Sequence, residues 1–511
     1  MLFFVCGIRL FTIATDKKLS EAAVKQSTKR LNVADLRGTI FDCNGIPLTN
    51  VQQREVTVVF PSDRGALALS ELLSGEELEK AISVLRKGTP VIADGVVKNV
   101  IGGTEQLTVP VRYNGSLEHI IGYLDDLGHG VSGIEKGFDE LLFSKEGLSV
   151  SYTTDSNGRM IEGLGWTVNE DKPLGNVTLT VDGKLQRIVE AAMQGVSAGA
   201  AVVLNAKNGN LKAVVSTPQF SPDNLSASLE AEGSPFINRA LYSYNVGSVF
   251  KPLMALAAIE NGLGSYKYTC KGSVVVDGIE FRCNKWQGHG EVDLKTAIAE
   301  SCNTYFYTLA LELGAKNVYD AVNRFRFDSE FEIGGGIVSS SGAVPKWSSL
   351  ENSSAALINL SIGQGDLMIT PIGIANLYAA IVNGGEYYLP TVIKEYQKNG
   401  ETLTPQATPP TKAMDSETAA VLREYLKNAL QFGTGNTAFV EGINAGGKTG
   451  TAQTGWKKEG RSVLNGWFCG FLEGKATDYV IVILKEDVKS GSYDCAPIFR
   501  EITLKMHSLG Y

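Results

Sequence analysis

The hydrophobic pattern changes character along the chain. Residues 1–14 are mostly apolar, interrupted by Arg9. Residues 17–36 are charged and helix-prone, and a region of short alternating runs follows, such as Glu55-Val56-Thr57-Val58-Val59-Phe60, whose period of two predicts strands. A charged helical segment lies near 70–87. A Gly-rich polar stretch at 155–176 reads as a linker.

Beyond it the runs lengthen. A strand is predicted at Val177–Val181, a helix from about Gly183 to Val196, and strands at Ala200–Leu204 and Leu211–Ser216 joined by a Lys207-Asn208-Gly209-Asn210 turn. Helical periodicity recurs at 249–261, 294–313, 370–382 and 415–431. Strands recur at 447–453, 463–472 and 478–485, and a last helix covers 496–508. Residues 397–412 are polar and Pro-rich, as in a surface loop. Strands at both ends of this second region with helices between them predict an α+β domain, an antiparallel sheet covered by helices.

Composition narrows the class. The chain has 511 residues, 43% hydrophobic and 20% charged, enough for two or three globular domains. A net charge of −8 without a basic run disfavours nucleic acid as a partner. None of the seven Cys forms a Cys-x-x-Cys pair, so zinc-ligand spacing is absent from the linear sequence. The apolar run at the N-terminus is shorter than the roughly 20 residues that span a bilayer.

Three short motifs carry candidate chemistry. In Ser248-Val249-Phe250-Lys251 the spacing of three puts serine and lysine on one helix face. Pro252 is tolerated only in a first turn, so the helix must begin near Ser248, where unpaired N–H groups suit an oxyanion. A serine nucleophile needs a base, and a lysine serves if burial or a neighbouring cation lowers its pKa. Lys448, in Lys448-Thr449-Gly450, could be that cation. Ser301-Cys302-Asn303 adds a hydroxyl and an amide, although a helix cap explains it as well. Gly442 to Thr449 also spells the phosphate-loop pattern G-x-x-x-x-G-K-T. That pattern needs a helix opening at Lys-Thr, and the β-formers after Gly450 argue against one.

In this order the motifs resemble those of the penicillin-binding transpeptidase family. So do Gly199 to Pro218, Asn238-Arg239-Ala240, Gly363-Gln364-Gly365 with Ile369-Thr370-Pro371, and Trp467-Phe468. Arg37-Gly38-Thr39-Ile40-Phe41-Asp42, Gly133-Ile134-Glu135 and Phe138-Asp139 resemble the non-catalytic domain of class B penicillin-binding proteins. Cys43, Val246 and Asn465 depart from residues usual there.

The resemblance implies a non-catalytic domain at 30–165, a transpeptidase domain at 177–511, and residues 1–14 as the remnant of a single-pass anchor in the cytoplasmic membrane, with both domains outside. It implies that Ser248 is acylated by stem peptides and by β-lactams. Lys251 would be the base, and Ser301, Asn303 and Lys448 would complete the catalytic set. Thr449, Gly450 and Thr451 would bind substrate. Membrane-embedded cell-wall assembly proteins, a glycan polymerase among them, would be partners, and no metal or organic cofactor would be needed. A D,D-carboxypeptidase, a β-lactamase and a non-catalytic scaffold remain as alternatives.

Cys270, Cys283 and Cys302 lie close in sequence. They read either as small apolar fillers or, outside the membrane, as thiols able to pair, most plausibly Cys302 with Cys283.

Overall fold

The strands Gly199–Asn205 and Asp478–Lys485 are almost unbroken apolar runs, and their packing explains why. Ala200, Val202, Leu204, Val480, Val482 and Leu484 point into one core, while Ala201, Val203, Ile481 and Ile483 point into another. A strand buried on both faces has no polar alternation to display.

The structure is a computed structural model that describes residues 2–15, 17–18, 25–100 and 102–511. In it these strands are the centre of a five-stranded sheet, ordered Leu211–Thr217, Gly199–Asn205, Asp478–Lys485, Arg461–Glu473, Ala445–Lys458, with every neighbour antiparallel. Helices Gly183–Ala192 and Ala496–Ser508 cover one face. The other face packs on helix Pro371–Val382, all of whose residues are buried. Thr370 caps that helix by accepting from the Gly373 N–H at 2.9 Å, and Pro371 opens it. The antiparallel sheet covered by helices is as predicted.

The N-terminal part contains two three-stranded sheets. One joins Thr28–Ala34, Leu148–Thr153 and Trp166–Glu170; the other joins Val91–Asp94, Gln52–Val59 and Thr104–Val111. Helices Asp63–Leu72 and Gly75–Arg86 occupy the predicted charged segment.

Four expectations need correction. Residues 28–34, read as helix-prone, form a strand, because pairing with Leu148–Thr153 buries Val33 and overrides local propensity; residues 19–24 of that stretch lie outside the described residues. The stretch 155–176 is not plain linker: Trp166–Glu170 pairs with Leu148–Thr153, and Trp166 stacks on Phe60 at 3.8 Å. Part of the surface loop at 397–412 is a hairpin of Ile393–Lys398 with Glu401–Leu403. The helix over 294–313 is two, Leu294–Ala299 and Asn303–Asn323, broken where Ser301 takes a left-handed φ of 56°.

Residues Leu2–Thr15 form a helix, and among the described residues no helix is long and apolar enough to cross a membrane.

A buried ion cluster holds the N-terminal part together. Arg37 donates to Glu135 at 2.9 Å and to Asp139 at 2.8 Å, and Arg112 donates to Glu135 at 2.6 Å. Just beyond Arg37, Ile40–Phe41 runs parallel to Gly175–Leu179. Glu135 is fully buried, so its removal leaves two guanidinium groups short of a counter-charge. Glu135→Ala should therefore cost about 3–5 kcal/mol, read as a loss of denaturant midpoint, whereas exposed Glu76→Ala should be near neutral.

Candidate active site

The nucleophile position is built from a helix start and an edge strand. Gly247–Phe250 is a 3-10 turn leading into the α-helix Lys251–Glu260, with Pro252 in its first turn as the sequence requires. Ser248 is half-buried on that turn, and the helix behind it is buried from Lys251 to Ala258. The turn is held from three directions. Gly247 N–H donates to the Gly363 carbonyl at 2.8 Å, the Tyr378 hydroxyl donates to the Val249 carbonyl at 3.0 Å, and the Trp467 indole donates to the Asn245 carbonyl at 2.8 Å.

Lys448, Thr449, Gly450 and Thr451 lie within the edge strand Ala445–Lys458, beside the turn. Gly450 permits that approach: a Cβ there would sit 2.9 Å from both the Val246 carbonyl oxygen and the Val249 side chain. A lysine-threonine pair in the middle of an antiparallel strand cannot cradle a phosphate at a helix start, so the nucleotide reading is excluded.

The Lys251 ammonium is fully buried and donates to the Ser301 carbonyl at 2.8 Å, the Ser301 hydroxyl at 3.1 Å and the Asn303 amide oxygen at 2.8 Å. Three predicted site residues thus share one hydrogen-bond set. Desolvation brings the Lys251 pKa down to about 7. Lys448 is equally buried and donates to the Thr434 hydroxyl and the Thr449 carbonyl, both at 3.1 Å. Desolvation, and then the charge of Lys251, holds its pKa well below the usual lysine range.

One residue escaped the sequence reading. The Thr434 hydroxyl receives Lys448 and also the Thr449 hydroxyl at 2.9 Å, and the Thr434 carbonyl accepts from the Ser492 hydroxyl at 2.9 Å. It lies in the loop after helix Ser416–Phe432, and no local signal marks it. Thr449 is nearly buried and Thr451 is exposed; the Thr451 hydroxyl accepts from the Gly491 N–H at 3.0 Å.

Zinc-ligand grouping, absent from the linear spacing, appears in three dimensions. The ligand atoms of Cys270, Cys283, His289 and Cys302 all lie within 4.8 Å of one another. All seven cysteines are free, and the Cys283 and Cys302 sulfurs are 3.8 Å apart, too far for the disulfide contemplated from the sequence. Cys302 follows the left-handed Ser301 and caps the helix Asn303–Asn323.

Comparison with known proteins agrees with this geometry. Residues 199–504, more than half of the chain, match the family model of the penicillin binding protein transpeptidase domain. Stage V sporulation protein D of Bacillus subtilis is 28% identical over 95% of this chain and 80% of its own length. Peptidoglycan D,D-transpeptidase FtsI of Escherichia coli is 26% identical over 85% of this chain and 73% of its own length. Among solved structures, penicillin binding protein 3 of Mycobacterium tuberculosis in complex with aztreonam superposes with a TM-score of 0.68 at 22% identity, covering 94% of this chain and 97% of that one. The penicillin-binding protein PBP2 of Helicobacter pylori, solved with MreC, gives 0.66 at 21%, covering 95% and 100%.

The buried lysine sets a pH dependence. A lysine acting as base must be neutral, so acyl transfer to Ser248 should rise as pH increases through about 7 and level off above it. A rate independent of pH between 6 and 8.5, followed by stopped-flow acylation, would remove Lys251 from that role.

Proposed function

Because this chain belongs to the penicillin-binding protein transpeptidase family, we propose that it is a peptidoglycan D,D-transpeptidase working through an acyl-enzyme on Ser248. The observation that carries this reading is the single hydrogen-bond set joining Lys251 to Ser301 and Asn303 at the foot of the Ser248 turn. Neutral Lys251 takes the Ser248 proton as Oγ attacks the carbonyl of the penultimate D-alanine. The backbone N–H groups of Ser248 and Thr451 hold the developing oxyanion. The proton passes from Lys251 through the Ser301 hydroxyl to the departing nitrogen, and D-alanine leaves. The amine of a neighbouring stem peptide then attacks the ester, giving up its proton along the same route, and Ser248 is restored. Asn303 holds the donor peptide backbone. β-Lactams follow the first half of this course and remain as acyl-enzymes.

The burial of Lys448 refines the expected carboxylate contact. Its amino group reaches Thr434 and the Thr449 carbonyl beneath the site, so the terminal carboxylate meets the Thr449 and Thr451 hydroxyls, with Lys448 bracing Thr434 and Thr449 from below. No cofactor enters these steps.

In this reading the chain works outside the cytoplasmic membrane. Residues 30–165 form the non-catalytic domain and 177–511 the enzyme. The helix Leu2–Thr15, with Val5 and Phe11 exposed, belongs to a single-pass anchor. Membrane-embedded cell-wall assembly proteins, a glycan polymerase among them, are the partners in this reading; a similar structure, PBP2, was solved in complex with MreC.

Ser248→Ala should abolish covalent labelling by a fluorescent penicillin without loss of fold. Lys251→Ala should slow acylation by roughly a hundredfold to ten-thousandfold. Lys448→Ala should slow it by roughly a hundredfold. Stem peptide offered with an acceptor amine separates the two enzymatic readings: the cross-linked dimer marks the transpeptidase, and release of D-alanine to water alone marks the carboxypeptidase.

A further inference from the structure

The four converging side chains come from four element ends. Cys270 closes strand Lys267–Cys270, Cys283 follows strand Ile279–Arg282, His289 precedes strand Gly290–Asp293, and Cys302 caps helix Asn303–Asn323. Three of the four are buried and His289 is partly so. Cys270 Sγ and Cys283 Sγ each lie 3.5 Å from His289 Nδ1, and the Cys283 and Cys302 sulfurs are 3.8 Å apart.

These spacings match the edges of a metal tetrahedron. With Zn–S of about 2.3 Å and Zn–N of about 2.0–2.1 Å, tetrahedral geometry sets sulfur pairs about 3.8 Å apart and sulfur–nitrogen pairs about 3.5 Å apart. Filler cysteines would have no reason to converge on an imidazole nitrogen.

The surrounding structure is an independent observation. Residues 267–293 form two small two-stranded ribbons, Lys267–Cys270 with Gly290–Asp293 and Ser273–Val276 with Ile279–Arg282. Within this excursion the buried side chains are Cys270, Cys283 and Val292. So small a core cannot fix a 27-residue excursion by apolar burial, and structural metals serve such segments. The backbone is shaped for the convergence: Gly288 is left-handed at φ 88°, and a Cβ there would lie 2.3 Å from the Cys270 carbonyl oxygen. The Thr304 hydroxyl donates to Cys270 Sγ at 3.0 Å, a hydrogen bond of the kind that orients a metal-bound sulfur.

We propose that Cys270, Cys283, His289 and Cys302 bind one zinc ion tetrahedrally, through three thiolates and the Nδ1 of His289, and that this ion holds the Ser301–Asn303 turn in position for Lys251. Each thiol gives up its proton to solvent on binding, and no oxidation is involved. Three sulfurs and one imidazole in a closed tetrahedron select zinc over the harder divalent ions, and with all four positions filled by protein the site is structural. Cys302 is the link to catalysis, because its neighbours on both sides bond to Lys251. The four ligands are positioning residues, not catalytic ones.

The test uses the full chain purified in reductant without chelator. Elemental analysis should find about one zinc per chain, and X-ray absorption should find sulfur at about 2.3 Å with nitrogen at about 2.0–2.1 Å. Cys283→Ser and His289→Ala should each lose most of the zinc. Stripping the wild type with a strong chelator in reductant should lower its melting temperature. It should also slow penicillin acylation roughly tenfold or more, measured well below the new midpoint, with both restored by added zinc. The acylation measurement rests on the Ser248 chemistry proposed above. Zinc content and melting do not, so the two readings fail separately. Zinc below about a tenth per chain, both as isolated and after incubation with zinc in reductant, would overturn the site. So would full zinc content in both variants, or a Cys283–Cys302 disulfide in protein that acylates at the full rate. Equal acylation by stripped and restored protein would overturn the positioning role.

Discussion

Two ammonium groups buried side by side are the constraint on which the site depends. Burying a cation without a counter-ion is costly, and a protein usually resolves the cost by letting the group lose its proton. Among the described residues neither Lys251 nor Lys448 has a carboxylate hydrogen-bond partner. Their acceptors are a carbonyl, a hydroxyl and an amide oxygen for Lys251, and a hydroxyl and a carbonyl for Lys448. Bringing a lysine down to about 7 favours its neutral form by on the order of 5 kcal/mol relative to water. A carboxylate in this pocket would raise the pKa again and remove the base. Neutral hydrogen-bond acceptors therefore suit a lysine base, and residues 301, 303, 434 and 449 supply them.

Such a pocket needs rigid walls, because a lysine that could swing to water would regain its ordinary pKa. The walls come from the sheet and the buried helix behind it. Tyr378 belongs to a helix with no exposed face, and Trp467 to an interior strand of the sheet, yet each sends its one polar atom to a backbone carbonyl at the Ser248 turn. Core side chains thus carry the geometry of the site, and their rotamers are fixed by packing that serves stability anyway. The same sheet explains the two-faced burial of Gly199–Asn205 and Asp478–Lys485.

What the sequence disclosed follows from how local each signal is. Pro252 announced the helix start, and the β-formers around Trp467 announced the strand that pairs with the one carrying Lys448, so the two halves of the site were legible. Where pairing partners lie far apart in sequence, propensity misled. Thr28–Ala34 became a strand because Leu148–Thr153 was waiting for it, and Trp166–Glu170 joined the same sheet from a stretch that reads as linker. Ser301 broke a well-patterned helix by a single left-handed residue, which no hydrophobic period reports. Thr434 was invisible for a similar reason: it matters only because two side chains from a distant strand reach it.

The cysteines show the limit of spacing rules most sharply. Motifs such as Cys-x-x-Cys register ligands delivered by one tight turn, and this chain delivers each ligand from a different element end. Only the folded arrangement brings Cys270, Cys283 and His289 onto Cys302. That convergence accounts for the turn at 301–303, which has two sides to satisfy. Ser301 and Asn303 must face Lys251, while the residue between them faces away into the excursion at 267–293. A left-handed serine is a strained start for such a turn, and it persists only where both sides are held. Lys251 grips one side by three hydrogen bonds. The other side ends on a sulfur, which makes only weak hydrogen bonds as a thiol but a strong coordinate bond to zinc as a thiolate. A grip on Cys302 therefore acts one peptide away from both partners of Lys251.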